Sequence, residues 1–135
     1  MLYVELFYFL LGSPMCEVCN QADEMGEHIV FDCPFAQEFW QQLRFNTNQP
    51  NSVDRFIDVQ YPPTFPRQLL SAFMALCYRH LWKRRNGVVF REKAATIRQT
   101  VQLIEADAKL WERRLPKKDR AIANAWYQYL ASICN

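Results

Sequence analysis

Apolar residues return at steps of three and four over three stretches in the second half of the chain. Leu69, Leu70, Phe73, Met74, Cys77, Leu81 and Trp82 form the first, and that spacing keeps one face of a 3.6-residue helix apolar. The helix is predicted to begin near Pro66, with Gly87 either ending it or lying inside it. Ile97, Val101, Ile104, Ala108, Trp111 and Leu115 form the second, a heptad-like stripe over 94–115. Pro116 stops it, because proline cannot continue the hydrogen-bond ladder. Asp119 is placed to cap a third helix, whose stripe is Ile122, Ala125, Trp126, Tyr129, Leu130 and Ile133. The three stripes are expected to face one another and to bury Trp82, Trp111 and Trp126.

The first half carries a shorter signal. Pro34 suits the first turn of a helix, and Phe35, Ala36, Phe39, Trp40 and Leu43 then fall on one helical face. Residues 45–66 read as a connection, broken by Asn46, Asn48, Asn51 and the prolines at 50, 62, 63 and 66. Ser52 to Val59 is expected to form a short turn pointing Val53, Phe56 and Ile57 inward. The predicted organisation is an N-terminal module over 1–45, a linker over 46–66 and a helical domain over 67–135. The fold class is mainly α: a small zinc-nucleated segment followed by a bundle of about three to five helices.

The zinc enters because residues 15–33 have little periodicity and must take their order from something other than an apolar core. They hold Cys16-x2-Cys19-x8-His28-x4-Cys33. Two cysteines two residues apart can chelate one ion from a tight turn, and the histidine and last cysteine can close the tetrahedron from the start of a helix. Three thiolates and an imidazole are a closed structural set for Zn²⁺, which leaves no position for water or substrate. One zinc ion in a folding role is therefore expected. Three other readings compete with it. A redox pair at Cys16 and Cys19 lacks the βαβ setting of thioredoxin-like motifs. Buried thiols, or a disulfide from this pair to Cys33, are the others.

The same residues carry a resemblance. Cys16-Glu17-Val18-Cys19, then Glu27-His28-Ile29-Val30-Phe31-Asp32-Cys33-Pro34-Phe35-Ala36 and Phe39-Trp40, closely resemble the zinc-binding domain that follows reverse transcriptase in plant non-LTR (LINE-type) retrotransposons. Leu81-Trp82-Lys83-Arg84-Arg85-Asn86-Gly87-Val88-Val89-Phe90 is similar to a segment that follows this domain in many plant copies. The region of Trp111 and Trp126 looks like the tail of short grass proteins descended from such elements. The resemblance implies a polymerase before residue 15 and often an RNase H domain afterwards. Neither is recognisable in this chain, so the expectation is a free-standing, domesticated fragment.

Composition bounds the remaining choices. Half of the 135 residues are apolar and 15% are aromatic, enough to bury a real core and too many for general disorder. The apolar run at residues 6–11 is too short to span a bilayer. No basic residue precedes it, so neither a secretory signal nor a mitochondrial presequence is favoured. An intracellular protein of the nucleus or cytoplasm, with no membrane span, is expected.

Enzyme chemistry finds no motif. Polymerase and RNase H sites need clustered carboxylates holding two metal ions, whereas Glu105, Asp107 and Glu112 read as a solvated helix face. Cys77 reads as core. Three glycines leave no phosphate-binding loop.

Two binding readings follow. The net charge of +2 hides a split. Residues 1–78 carry three Lys or Arg against nine Asp or Glu, a net of −6, and residues 79–135 carry thirteen against five, a net of +8. Such a split implies two surfaces with different partners, or halves that dock on each other. Arg79, Lys83, Arg84, Arg85, Arg91 and Lys93 are the candidates for nucleic-acid binding, tracking RNA or single-stranded DNA phosphates, with Trp82 available to stack on a base. Against that, the finger is acidic, Trp82 lies on the apolar stripe, and a charge run is usually a solvated face. Protein–protein interaction, with a partner protein or a second copy, is the preferred reading, as an adaptor or as part of a selfish or defence system.

Overall fold

Local signals place both ends of the first α-helix and the starts of the second and third. A computed structural model of the chain describes residues 27–47, 59–91 and 94–134. Among these lie a π-turn at His28–Asp32 and four α-helices: α1 Pro34–Leu43, α2 Leu70–Arg91, α3 Ile97–Arg114 and α4 Arg120–Cys134. A 3₁₀ turn at Lys117–Asp119 leads into α4. The fold is mainly α, as the periodicity predicts, and the only β pairing among the described residues is the isolated bridge Asn46–Gln60. The apolar stretch at 6–11, Cys16, Cys19, the turn predicted from Ser52 and Lys93 lie outside the described residues.

Pro34 occupies the first turn of α1, where its missing N–H removes no hydrogen bond. The helix ends in a Schellman motif. Arg44 is left-handed at φ 60°, its N–H reaches Gln41 O at 3.0 Å, and Phe45 N–H reaches Trp40 O at 3.0 Å. The Trp40 and Phe45 rings stack with centroids 5.9 Å apart, the apolar contact that accompanies this motif. An arginine where glycine is usual stores about 1 kcal/mol of backbone strain, which that stacking helps to offset.

Leu69 is also left-handed, at φ 57°, so α2 begins at Leu70 and not at Pro66. Gly87 lies inside α2. Thr96 delays α3 to Ile97 through a reciprocal capping box. Gln99 N–H donates to Thr96 Oγ1 at 3.1 Å, and Thr96 N–H donates to Gln99 Oε1 at 2.9 Å, satisfying two otherwise orphaned donors.

One apolar core takes residues from every part. It contains Val30 and Phe31 of the π-turn, Phe39, Trp40 and Leu43 of α1, Phe73 and Leu81 of α2, Val101 and Ile104 of α3, and Trp126 and Leu130 of α4. The described ends of the connection join it through Phe45, Val59 and Phe65. The segments on either side of residues 46–66 thus share a core. α3 and α4 form a tight hairpin, α2 packs on both the π-turn and α3, and α1 reaches α3 and α4. Aromatic rings run through the centre: Phe45 meets Phe65 edge-on at 5.2 Å, Phe65 meets Phe73 at 4.6 Å, and Phe73 meets Trp126 at 5.7 Å.

The seam of α4 is Ala123, Trp126 and Leu130. Ala123 is fully buried there and Ala125 only half-buried, because residues three before and four after Trp126 share its face. Trp126 is 0% exposed. Trp82 and Trp111, expected in the interior, are only partly buried against the core's edge. Trp126→Ala is therefore expected to cost about 3–5 kcal/mol, and Trp111→Ala no more than about half of that. Urea denaturation of the two variants tests the ranking, and equal losses would contradict it.

Candidate functional site

His28 and Cys33 bracket the π-turn. A π-type turn closes by a bond between residues five apart, and Cys33 N–H reaches His28 O at 2.7 Å. The x4 spacing between these two metal-ligand types is thus folded into a single turn. Both residues are buried, at 9% and 3% exposure. Cys33 is also the N-cap of α1, where its carbonyl accepts from Gln37 N–H at 2.9 Å. A helix N-terminus favours negative charge, which suits a thiolate.

The turn is held by its neighbours. Trp40 Nε1–H donates to Val30 O at 2.6 Å, and Phe31 meets Tyr78 of α2 edge-on at 5.6 Å. Among the described residues, no group of three or more His, Cys, Asp or Glu side chains gathers. The full ligand set proposed from the sequence needs Cys16 and Cys19. The donor chemistry of His28 and Cys33, one imidazole and one sulfur on a shared turn, fits half of a tetrahedral zinc site.

The six cationic candidates do not form one exposed stripe. Arg79 and Lys83 are exposed. Arg84 is half-buried: its guanidinium carbon lies 3.7 Å from the centroid of the Phe35 ring, and Nε donates to Ala95 O at 3.2 Å. Phe35 in turn packs against Cys33. Arg85 is 3% exposed, donates to Asn86 Oδ1 at 2.9 Å and lies 5.4 Å from the Trp82 ring centroid. The side chains of Arg91 and Lys93 lie outside the described residues. At Arg84 and Arg85, then, the charge run is neither a solvated face nor a phosphate-tracking groove. It is an interior joint between α2, α1 and the segment before α3. Periodicity gives no sign of this, because arginine can bury its stem and stack its planar head.

A second, part-buried polar contact concerns Asp107. His80 of α2 is buried, and its Nε2 pairs with Asp107 Oδ2 of α3 at 2.5 Å. Asp107 is therefore not part of a solvated acidic face. Glu105 makes only a loose pair with Lys109 at 3.9 Å. Cys77 is fully buried, and burial holds its thiol well above the ordinary 9.0. Tyr129 is raised from 10.0, first by burial and in the opposite sense by Arg44. Its hydroxyl donates to Leu43 O at 2.5 Å, joining α4 to α1.

No protein-family model, curated protein or solved structure matches the chain. No helix among the described residues is long and apolar enough to cross a membrane.

Two outcomes follow from these contacts. Asp107→Ala leaves the buried His80 without its partner and is expected to cost about 1–3 kcal/mol. Glu105→Ala and Glu112→Ala should stay within about 0.5 kcal/mol, and three equal losses in chemical denaturation would refute the distinction. The second is alkaline sensitivity. The fold keeps Cys77 and Tyr129 neutral, so above pH 9 the unfolded chain releases protons first and the native state binds more. Stability is then complete below that pH and falls as pH rises, for Cys77 by up to about 1.4 kcal/mol per unit. Urea midpoints at pH 8 and 10 should differ, and less so in Cys77→Ala.

Proposed function

We propose that the chain is a non-enzymatic, zinc-stabilised helical binding module, related to the zinc-binding segment of plant LINE-type retrotransposons and acting through protein–protein contact. Cys16, Cys19, His28 and Cys33 would hold one structural Zn²⁺, whose role is to tie the N-terminal segment to the helical core. A three-thiolate centre carries about −1. The placement of Arg84 over Phe35, itself against Cys33, supports the reading by putting a cation close to that charge. A thiolate-bound zinc belongs to a reducing compartment, consistent with the nucleus or cytoplasm.

The observation that favours a protein partner over nucleic acid is the interior engagement of Arg84 and Arg85. With those two guanidinium groups committed to Phe35, Ala95, Asn86 and Trp82, the segment 79–93 offers fewer charges to a phosphate backbone than its sequence promises.

Metal analysis and oligonucleotide titration of the purified full chain test both halves of the proposal. One zinc per chain is expected, with loss of binding in His28→Ala and Cys33→Ser. Single-stranded RNA and DNA should bind weakly at physiological salt. The informative variant is Arg79→Ala with Lys83→Ala, because changing Arg84 or Arg85 mixes folding with binding. Submicromolar affinity, with a salt slope that falls by about 0.7 for each of these cations removed, would install nucleic-acid binding instead. A folded, metal-free protein would refute the zinc.

A further inference from the structure

Helix α3 has two apolar faces. The inner one carries Ile97, Val101, Ile104 and Ala108, all buried. The outer one carries Leu103 and Leu110, the exposed large hydrophobic residues among those described, at 55% and 49% exposure. Exposed Ala106 lies between them. Steps of three and four residues at about 100° each put these three on one narrow stripe, nearly opposite the inner face. Leu103 and Leu110 are two turns apart, the repeat of a helix-pairing seam.

The stripe runs into uncompensated positive charge. Arg113 and Arg114 continue it by the same angular count, and Lys117, Lys118 and Arg120 follow across the turn into α4. All five are exposed, and none pairs with a carboxylate among the described residues. The run 113–120 holds a single acid, Asp119. Three carboxylates lie on α3: Asp107 pairs with His80, Glu105 lies nearest Lys109, and half-buried Glu112, though next to Arg113 in sequence, makes no ion pair with these cations.

We propose that this outer face of α3 docks an acidic amphipathic helix of a partner protein. The inference rests on the protein-interaction reading and supplies its surface and the chemistry of the partner. The three-four spacing of Leu103, Ala106 and Leu110 selects a helix, whose own apolar seam would cover them. The cations beyond Leu110 select acidic flanks, which also steer encounter. A second copy is disfavoured by charge. A parallel pair brings Arg113 and Arg114 together, and an antiparallel pair brings them to the turn carrying Arg98, with no carboxylate gained. Nucleic acid would satisfy the cations but leave both leucines in water.

Fluorescence anisotropy with the full-length, zinc-loaded chain tests this. The probe is a labelled synthetic helix of about three heptads, with Leu at a and d and Glu at e and g. Micromolar binding is expected, weakening with salt. A probe with Lys in place of Glu should bind at least roughly tenfold more weakly, as should a scrambled one. Leu103→Ser with Leu110→Ser, and separately Arg113→Glu with Arg114→Glu, should each weaken the Glu probe by roughly tenfold or more. These positions are exposed, so unchanged thermal unfolding confirms that the variants fold.

Equal binding of the Glu and Lys probes, or indifference to the leucine pair, overturns the proposal. So does a dimer in sedimentation that the leucine pair abolishes. If the probe fails while oligonucleotides still bind weakly, this face is wrongly assigned and the protein-interaction reading stands. If oligonucleotides bind tightly, and lose affinity on the arginine change but not the leucine change, both fail.

Discussion

The bond from the Trp40 indole to the Val30 carbonyl is the contact on which the arrangement turns. A π-turn of five residues is a rare and poorly self-supporting element. This one persists because the first helix reaches back and satisfies one of its carbonyls at 2.6 Å. The same indole stacks on Phe45, which closes the Schellman motif at the end of α1 and passes contact on to Phe65 and Phe73. One side chain therefore couples the geometry of His28 and Cys33 to the helical bundle. Replacing it would remove a buried hydrogen bond, a ring stack and a large volume together, so its effects could not be divided into independent parts.

That coupling bears on how much of the molecule was readable beforehand. The helices were legible where apolar residues repeat along one chain segment: the stripes of α1, α3 and α4 need only the helical period. The capping box of α3 stands in the sequence as Thr96-x-x-Gln99, but the apolar stripe alone places that helix start early, near 94 and ahead of Ile97. The shared core was not, because a shared core is a property of pairs distant in sequence. The same holds for His80 with Asp107, and for Arg84 over Phe35. Each of these polar residues looks solvated on its own helix and loses much of its exposure, His80 nearly all of it, only when another helix arrives. Of the proposed metal ligands, the x4 interval from His28 to Cys33 proved to be one turn, a local fact that spacing could suggest. Their meeting with Cys16 and Cys19 concerns residues outside those described.

The charge split takes on a different meaning in the folded chain. As a sequence, the basic excess of residues 79–135 centres on Lys83, Arg84 and Arg85. In the structure, Arg84 and Arg85 turn inward, Arg79 and Lys83 stay exposed, and a second group of exposed cations gathers at Arg113, Arg114, Lys117, Lys118 and Arg120. A buried guanidinium is tolerated only with partners for its donors and its face, and α1 supplies one such face through Phe35. The inward arginines thus belong to the architecture, and the corner between α3 and α4 gathers five exposed cations within eight residues.

The two regions also differ in what disturbing them would do. The turn at His28–Asp32 is held on several sides by the core, through Trp40, through Tyr78 and through the helix that Cys33 caps. A zinc ion bound there, as proposed, would take two ligands from a turn held by the core and two from the segment that carries Cys16 and Cys19. Metal would then act as a tether between that segment and a core stabilised by its own aromatic packing. The outer face of α3 lies on the far side of its helix from that core, and its leucines contribute little to holding the fold. A surface free of structural duty can be altered without unfolding the chain, which is what the proposed binding role requires of it.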